Sequence, residues 1–133
     1  MADSTELPDF AEYMKELQQH QFVVVKFGYS SCPPCNKLKP IFAEIKQQVA
    51  DYIHFVEVDI INQEDIAAEE LVTRVPLVRF YIDCITNPTW DVIGFNIEKL
   101  QTNFNLFLDQ VYEIRKLQKI EGVEVNKTEL NTA

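Results

Sequence analysis

The stretch Phe-Val-Val-Val-Lys-Phe-Gly-Tyr-Ser-Ser-Cys-Pro-Pro-Cys, residues 22–35, constrains the fold more than any other. Phe22 to Val25 is short, apolar and β-branched between polar neighbours, so it predicts a buried strand. Gly28 and the Ser30-Ser31 pair end that strand, and a helical pattern starts directly at Cys32-Pro33-Pro34-Cys35. A strand that runs into Cys-x-x-Cys at the mouth of a helix is a redox arrangement. Two thiols three residues apart on a first helical turn can close a small disulfide ring, and the unpaired N–H groups and dipole of that helix end favour a thiolate. The same residues could also serve as half of a zinc site or as small buried side chains. A structural zinc ion wants four ligands, and only Cys84, His20 and His54 remain, scattered along the chain. No metal site is expected.

The rest of the chain alternates helix and strand. Phe10, Tyr13, Met14 and Leu17 recur at helical spacing and predict an amphipathic helix over 8–19, with Ser4 as a candidate cap. After the cysteines, Leu38, Ile41, Phe42, Ile45 and Val49 form one apolar stripe, with Pro40 inside it as a kink point. Ile53–Asp59 predicts a second strand, a short helix opens at Asn62 or Gln63 and ends near Glu70, and Leu77–Ile82 predicts a third strand. A turn at 86–88 and a fourth strand over 90–93 follow. Gly94-Phe95-Asn96 then breaks the chain before a long helix whose face carries Ile97, Leu100, Phe104, Phe107, Val111, Ile114 and Leu117. Trp90 is read as core or rim packing, and Cys84, at the end of the third strand, as a structural or incidental thiol. This order predicts an α/β fold: a mixed central sheet flanked by helices on both faces, its first two strands parallel and its last two a hairpin. One domain is expected over 1–120 and a polar tail over 121–133.

Composition narrows the function. A 47% hydrophobic fraction with only 3 glycines describes a globular chain with a real core. A formal net charge of -9 argues against nucleic-acid binding, which needs clustered Lys and Arg, and against anionic membrane surfaces. No apolar run approaches the ~20 residues of a membrane-spanning helix. The acidic start lacks the features of an export signal, so a soluble cytoplasmic protein is expected, and Asn126-Lys127-Thr128 is a chance sequon. Three cysteines do not make a disulfide scaffold.

Over about residues 10–117 the chain resembles the thioredoxin family. Four features carry the resemblance in order: the apolar strand entering Cys32-x-x-Cys35, Pro40 five positions after Cys35, Val58-Asp59 at a strand end, and Val75-Pro76 before the third strand. Gly94 falls where the family has a glycine loop near the active site. The departures are equally specific. Ser31 stands where the family usually has Trp, and Pro33-Pro34 replaces Gly-Pro, a dipeptide similar to that of tryparedoxins. Lys26 occupies the position of the family's buried acid, Glu57 stands on the neighbouring strand, and Leu77 replaces a Thr after Pro76.

The resemblance implies a thioredoxin fold and a protein thiol–disulfide oxidoreductase, reducing disulfides in partner proteins with electrons from a separate thioredoxin reductase-like donor and without an organic cofactor. Cys32 would be the nucleophile, partly exposed with a depressed pKa, and Cys35 the more buried resolving thiol. Pro76 would be cis and packed against the disulfide, with Val75 offering its backbone to an extended substrate. Tyr29, Ser31, Pro33, Pro34 and Gly94 would complete the substrate surface. Lys26 is either a side chain that reaches solvent at a strand end or a buried partner of Glu57, in which case it favours the Cys32 thiolate and leaves Glu57 as the base for Cys35. The rival reading is a non-catalytic interaction module or assembly factor on the same fold, since Val-Val-Val-Lys-Phe-Gly is also similar to spliceosomal thioredoxin-like proteins, which lack a working Cys-x-x-Cys.

Overall fold

The apolar run becomes the centre of a sheet. In the computed structural model, which describes residues 4–6 and 9–120, Phe22–Gly28 (β2) is buried along its whole length. It lies between Ile53–Asp59 (β3), which is parallel to it, and Leu77–Ile82 (β4), which is antiparallel. Full burial on both faces explains why Phe22 to Val25 carries no polar alternation. The expected tail, 121–133, and its sequon lie outside the described residues.

Helices cover both faces. Phe10–Gln19 (α1) and Glu64–Glu69 (α3) pack on one side, where Tyr13, Leu17 and Ile66 meet Val23, Val25 and Phe27. Pro33–Gln48 (α2) and Ile97–Ile120 (α4) pack on the other, where Leu38, Phe42, Phe104, Phe107 and Val111 meet Phe22 and Val24. The alternation along β2 therefore sorts its side chains between two cores. Lys26 falls on the side of Phe22 and Val24, facing α2. Helix α2 continues through Pro40, which sits on its exposed face.

Three expectations are corrected. Ser4 does not cap the first helix. Ser4–Glu6 (β1) is a parallel edge strand on β3, and Asp9 is the cap, its carboxylate accepting the Glu12 N–H at 2.9 Å. The single fourth strand over 90–93 is two short pieces on one edge of β4, Ile85–Thr86 (β5) and Val92–Ile93 (β6). Val78 faces Val92 where an unbroken strand would put Thr89, because Pro88–Trp90 coils into a 3-10 turn capped by the Asn87 side chain. Trp90 therefore leaves the sheet, and packs edge-on against Phe80 and Phe107. Finally, Leu117 is 52% exposed. At ~1.5 Å per residue α4 outruns strands of seven residues at ~3.3 Å each, so its last turns have no sheet beneath them.

Candidate active site

Cys32 is the N-cap of α2, and its sulfur is bonded to that of Cys35 across a Cα–Cα distance of 5.2 Å. Pro33 and Pro34 occupy the first two helical positions, where a missing N–H leaves nothing unsatisfied. The first donor of the helix is therefore Cys35, and its N–H points at Cys32 Sγ at 3.3 Å. The two prolines remove competing donors and leave one, aimed at the sulfur. The approach is fixed from behind by Cys32 N–H to Tyr29 O (3.2 Å) and by Asn36 Nδ2 to Ser30 O (3.1 Å).

The expected contrast in exposure between the two cysteines is absent: Cys32 is 3% and Cys35 4% exposed. A capping side chain folds back over the first turn of its own helix, and that posture turns Cys32 Sγ inward. Cys35 packs on Gly28 so closely that a Cβ there would stand 3.1 Å from its sulfur. Sequence reasoning read Gly28 only as a strand breaker. Its lack of a side chain is what lets Cys35 pack this closely on the strand.

Beneath Cys35 lies a cavity of about 200 Å³ lined by Lys26, Tyr29, Asn36, Lys39 and Glu57. Lys26 and Glu57 are register partners on β2 and β3, so the parallel pairing brings together the two charged residues singled out in the sequence. Lys26 is 6% exposed, which excludes a side chain reaching into solvent at the strand end. Its Nζ stands 5.4 Å from the centroid of the Phe42 ring. Burial lowers its pKa from the usual lysine value, and the Glu57 carboxylate opposes that shift.

Pairing of Phe27 with Leu77 puts Pro76 at the same end of the sheet as Gly28. The Val75–Pro76 bond is cis, as the resemblance implied. Gly94 N–H donates to Pro76 O at 2.8 Å, and Gly94 takes a φ of +86°, a backbone conformation that favours glycine. Lys37 of α2 reaches across to Phe95, 5.8 Å from its ring centroid, which ties the first turn of α2 to the glycine loop. Ser31 and Pro33 are exposed, Tyr29, Pro34, Val75 and Gly94 are half-buried, and Pro76 is buried. Arg79 anchors the chain ahead of Val75 by donating to Glu70 O at 2.8 Å while it pairs with Asp91. Phe95 and Arg79 were not anticipated. A lone aromatic beside a glycine and a strand arginine carry no signal of their own.

A helix-capping Cys-x-x-Cys after the central strand, with a cis-proline at the same end of the sheet, defines a thiol–disulfide exchange protein on a mixed α/β sheet. The family model described as Thioredoxin matches residues 5–105, and the chain belongs to the thioredoxin family. It is 30% identical over 95 residues to a thioredoxin of Ophiophagus hannah, covering 70% of this chain and 88% of that one. Among solved structures it is similar to mitochondrial thioredoxin 3 of Saccharomyces cerevisiae in its oxidised form, with a TM-score of 0.68, 27% identity, and coverage of 74% and 91% of the two chains. The thioredoxin of Trypanosoma brucei brucei superposes with a TM-score of 0.72 over 80% of this chain and 91% of that one, and at 17% identity it bears on the fold alone. At the level of the family, this is a thiol–disulfide oxidoreductase, and its bonded Cys32–Cys35 pair fits a Cys-x-x-Cys-type site. Among the described residues, no helix is long and apolar enough to cross a membrane.

Proposed function

We propose that the protein reduces disulfides in other proteins, with Cys32 as nucleophile and Cys35 as resolving thiol. The Cys32 thiolate attacks one sulfur of the partner's disulfide. That S–S bond breaks, the partner's second sulfur leaves as a thiolate, and a mixed disulfide forms. Cys35, deprotonated with Glu57 as base, then attacks Cys32 Sγ, which closes the Cys32–Cys35 disulfide and releases the partner's first sulfur as a thiol. Two electrons pass from the pair to the partner, and a separate thioredoxin reductase-like donor returns them. The observation that carries this reading is the Cys35 N–H aimed at Cys32 Sγ at the N-terminus of α2, a donor and a helix dipole that both favour a thiolate there.

Lys26 holds a positive charge under the pair and favours their thiolate forms. Val75 and Pro76, with Tyr29, Ser31, Pro33, Pro34 and Gly94 around them, form the surface on which an extended segment of the partner docks. The cytoplasm, a reducing compartment, suits this direction of exchange.

Insulin reduction with dithiothreitol tests the proposal: turnover is expected in the natural chain and lost in Cys32→Ser. One observation favours a second reading, an interaction module without catalysis, namely the burial of Cys32 together with Cys35. Absence of turnover by the natural chain in the same assay would select that module and reject the reductase.

A further inference from the structure

At the end of the sheet far from the cysteines, the structure joins two histidines that are distant in sequence. His20 closes α1 in extended backbone, at φ -124° and ψ 132°. His54 is the second residue of β3, paired with Val23, on the face that α1 covers. Their rings stack with centroids 3.8 Å apart and planes 9° from parallel. Glu16, one helical turn before His20, brings its Oε1 to 2.6 Å from His54 Nε2 and 3.8 Å from His20 Nε2. One ligand atom from each of the three lies within 4.8 Å of the others. The side chains of His20, His54 and Glu16 are 25%, 21% and 23% exposed, open enough to admit an ion and covered enough to be held in place.

Their chemistry suits a divalent ion. Burial, and then the His54 ring stacked on it, lower the pKa of His20 against the pull of Glu16. A neutral imidazole has a lone pair to give, and the carboxylate adds one negative charge; a divalent transition ion needs those protonation states. Two imidazole nitrogens and one carboxylate oxygen form a ligand set that zinc accepts, with a fourth position left to water. Metal–ligand distances of about 2.1 Å set ligand atoms roughly 3.4 Å apart in a tetrahedron. The 2.6 Å pair would open and the 3.8 Å pair would close, each by less than about 1 Å, and because an imidazole gives its lone pair in the ring plane, binding also turns the two rings out of their stack by χ rotation in these partly exposed side chains.

We propose that Glu16, His20 and His54 bind one zinc-type divalent cation. The site is separate from the cysteine pair. β2 runs between them, and seven residues of strand place the two ends roughly 20 Å apart. The ion therefore takes no part in thiol exchange. It clamps the C-terminal end of α1 to β3, and so holds the helical layer to the sheet.

The test uses the full chain without an affinity tag, oxidised so that Cys32 and Cys35 are bonded, and carrying Cys84→Ser to remove the remaining thiol. Zinc chloride is titrated against a fluorescent chelator, and thermal melting is followed with and without the ion. One equivalent of zinc and a rise in Tm are expected. His54→Gln and His20→Gln should each weaken binding by about tenfold or more, the lower bound seen even for outer partners of a bound metal, and should abolish the rise in Tm. Glu16→Gln gives the same reading should either histidine variant fail to fold by circular dichroism. Failure of the oxidised Cys84→Ser chain to bind zinc, or binding undiminished when the folded histidine or glutamate variants are made in it, overturns the proposal.

Discussion

Lys26 and Glu57 are register partners on adjacent parallel strands, and both line the cavity beneath Cys35. A cation thus stands on the central strand, where the resemblance placed a buried acid, and the acid stands on the neighbouring strand. A lysine that is 6% exposed is a costly residue to bury, and this one is buried beside the cavity that Cys35 lines. Cys35 lines the same cavity, so the charge is nearer the resolving sulfur than a distant surface lysine could be.

Lys26→Met should raise the thiol pKa values of the reduced pair by about one unit, because the opposite charge that favours the thiolates is gone and the apolar volume is kept. Ultraviolet thiolate absorbance of the reduced protein against pH reads this directly. An unchanged titration would remove Lys26 from the mechanism.

Glu57→Gln should slow resolution rather than attack. The amide keeps the shape and a hydrogen-bonding group but cannot take the Cys35 proton. Loss of a general base costs about 100-fold at the low end of such effects. Rapid-quench sampling of the reaction with a disulfide substrate should show the mixed disulfide accumulating. Equal rates of formation and decay in variant and natural chain would assign Glu57 to structure alone.

Acidification should destabilise the fold through His20. Its folded pKa lies below the ordinary histidine value of 6.5, because burial and His54 disfavour its charged form while Glu16 opposes them. Below 6.5 the unfolded chain takes up a proton that the folded chain resists. The stabilisation is complete above that pH and is lost as the pH falls through the folded value. Urea unfolding in the presence of a metal chelator should give a midpoint that declines through this range, and His20→Gln should flatten that decline.

Much of this architecture was legible because it rests on strong, local signals. β3 and β4 fell where their residues predicted, since short runs rich in β-branched and aromatic residues between polar or turn-forming neighbours read as strands. The Lys26–Glu57 pairing followed from parallel neighbours of equal length. What escaped was structure set by distant partners. Ser4-Thr5-Glu6 is a strand only because β3 offers an open edge, and nothing apolar in those residues announces it. β5 and β6 are two residues each, too short for any period to show. The burial of Cys32 depends on its posture as a cap, and the His20–His54 stack on the crossing of α1 over β3.

Gly28→Ala tests how tightly the strand and the cysteine pair are fitted. The new methyl carbon would stand 3.1 Å from Cys35 Sγ and 3.4 Å from its Cβ. Cys35 cannot withdraw easily, for its sulfur is tied to Cys32 and its backbone belongs to the first turn of α2. Gly28 cannot withdraw either, since its carbonyl accepts Ile60 N–H at 2.9 Å and its neighbours pair on both sides of β2. Overpacking at such a site costs about 1–3 kcal/mol. The cost should be greater in the oxidised protein than in the reduced one, where Cys35 is free to rotate away. Denaturant unfolding of both redox forms measures the difference, and the same difference should appear as a less stable disulfide when the variant is equilibrated with glutathione. A variant as stable as the natural chain in its oxidised form would show that the strand can shift under the cysteines, and that their packing on Gly28 is looser than these distances imply.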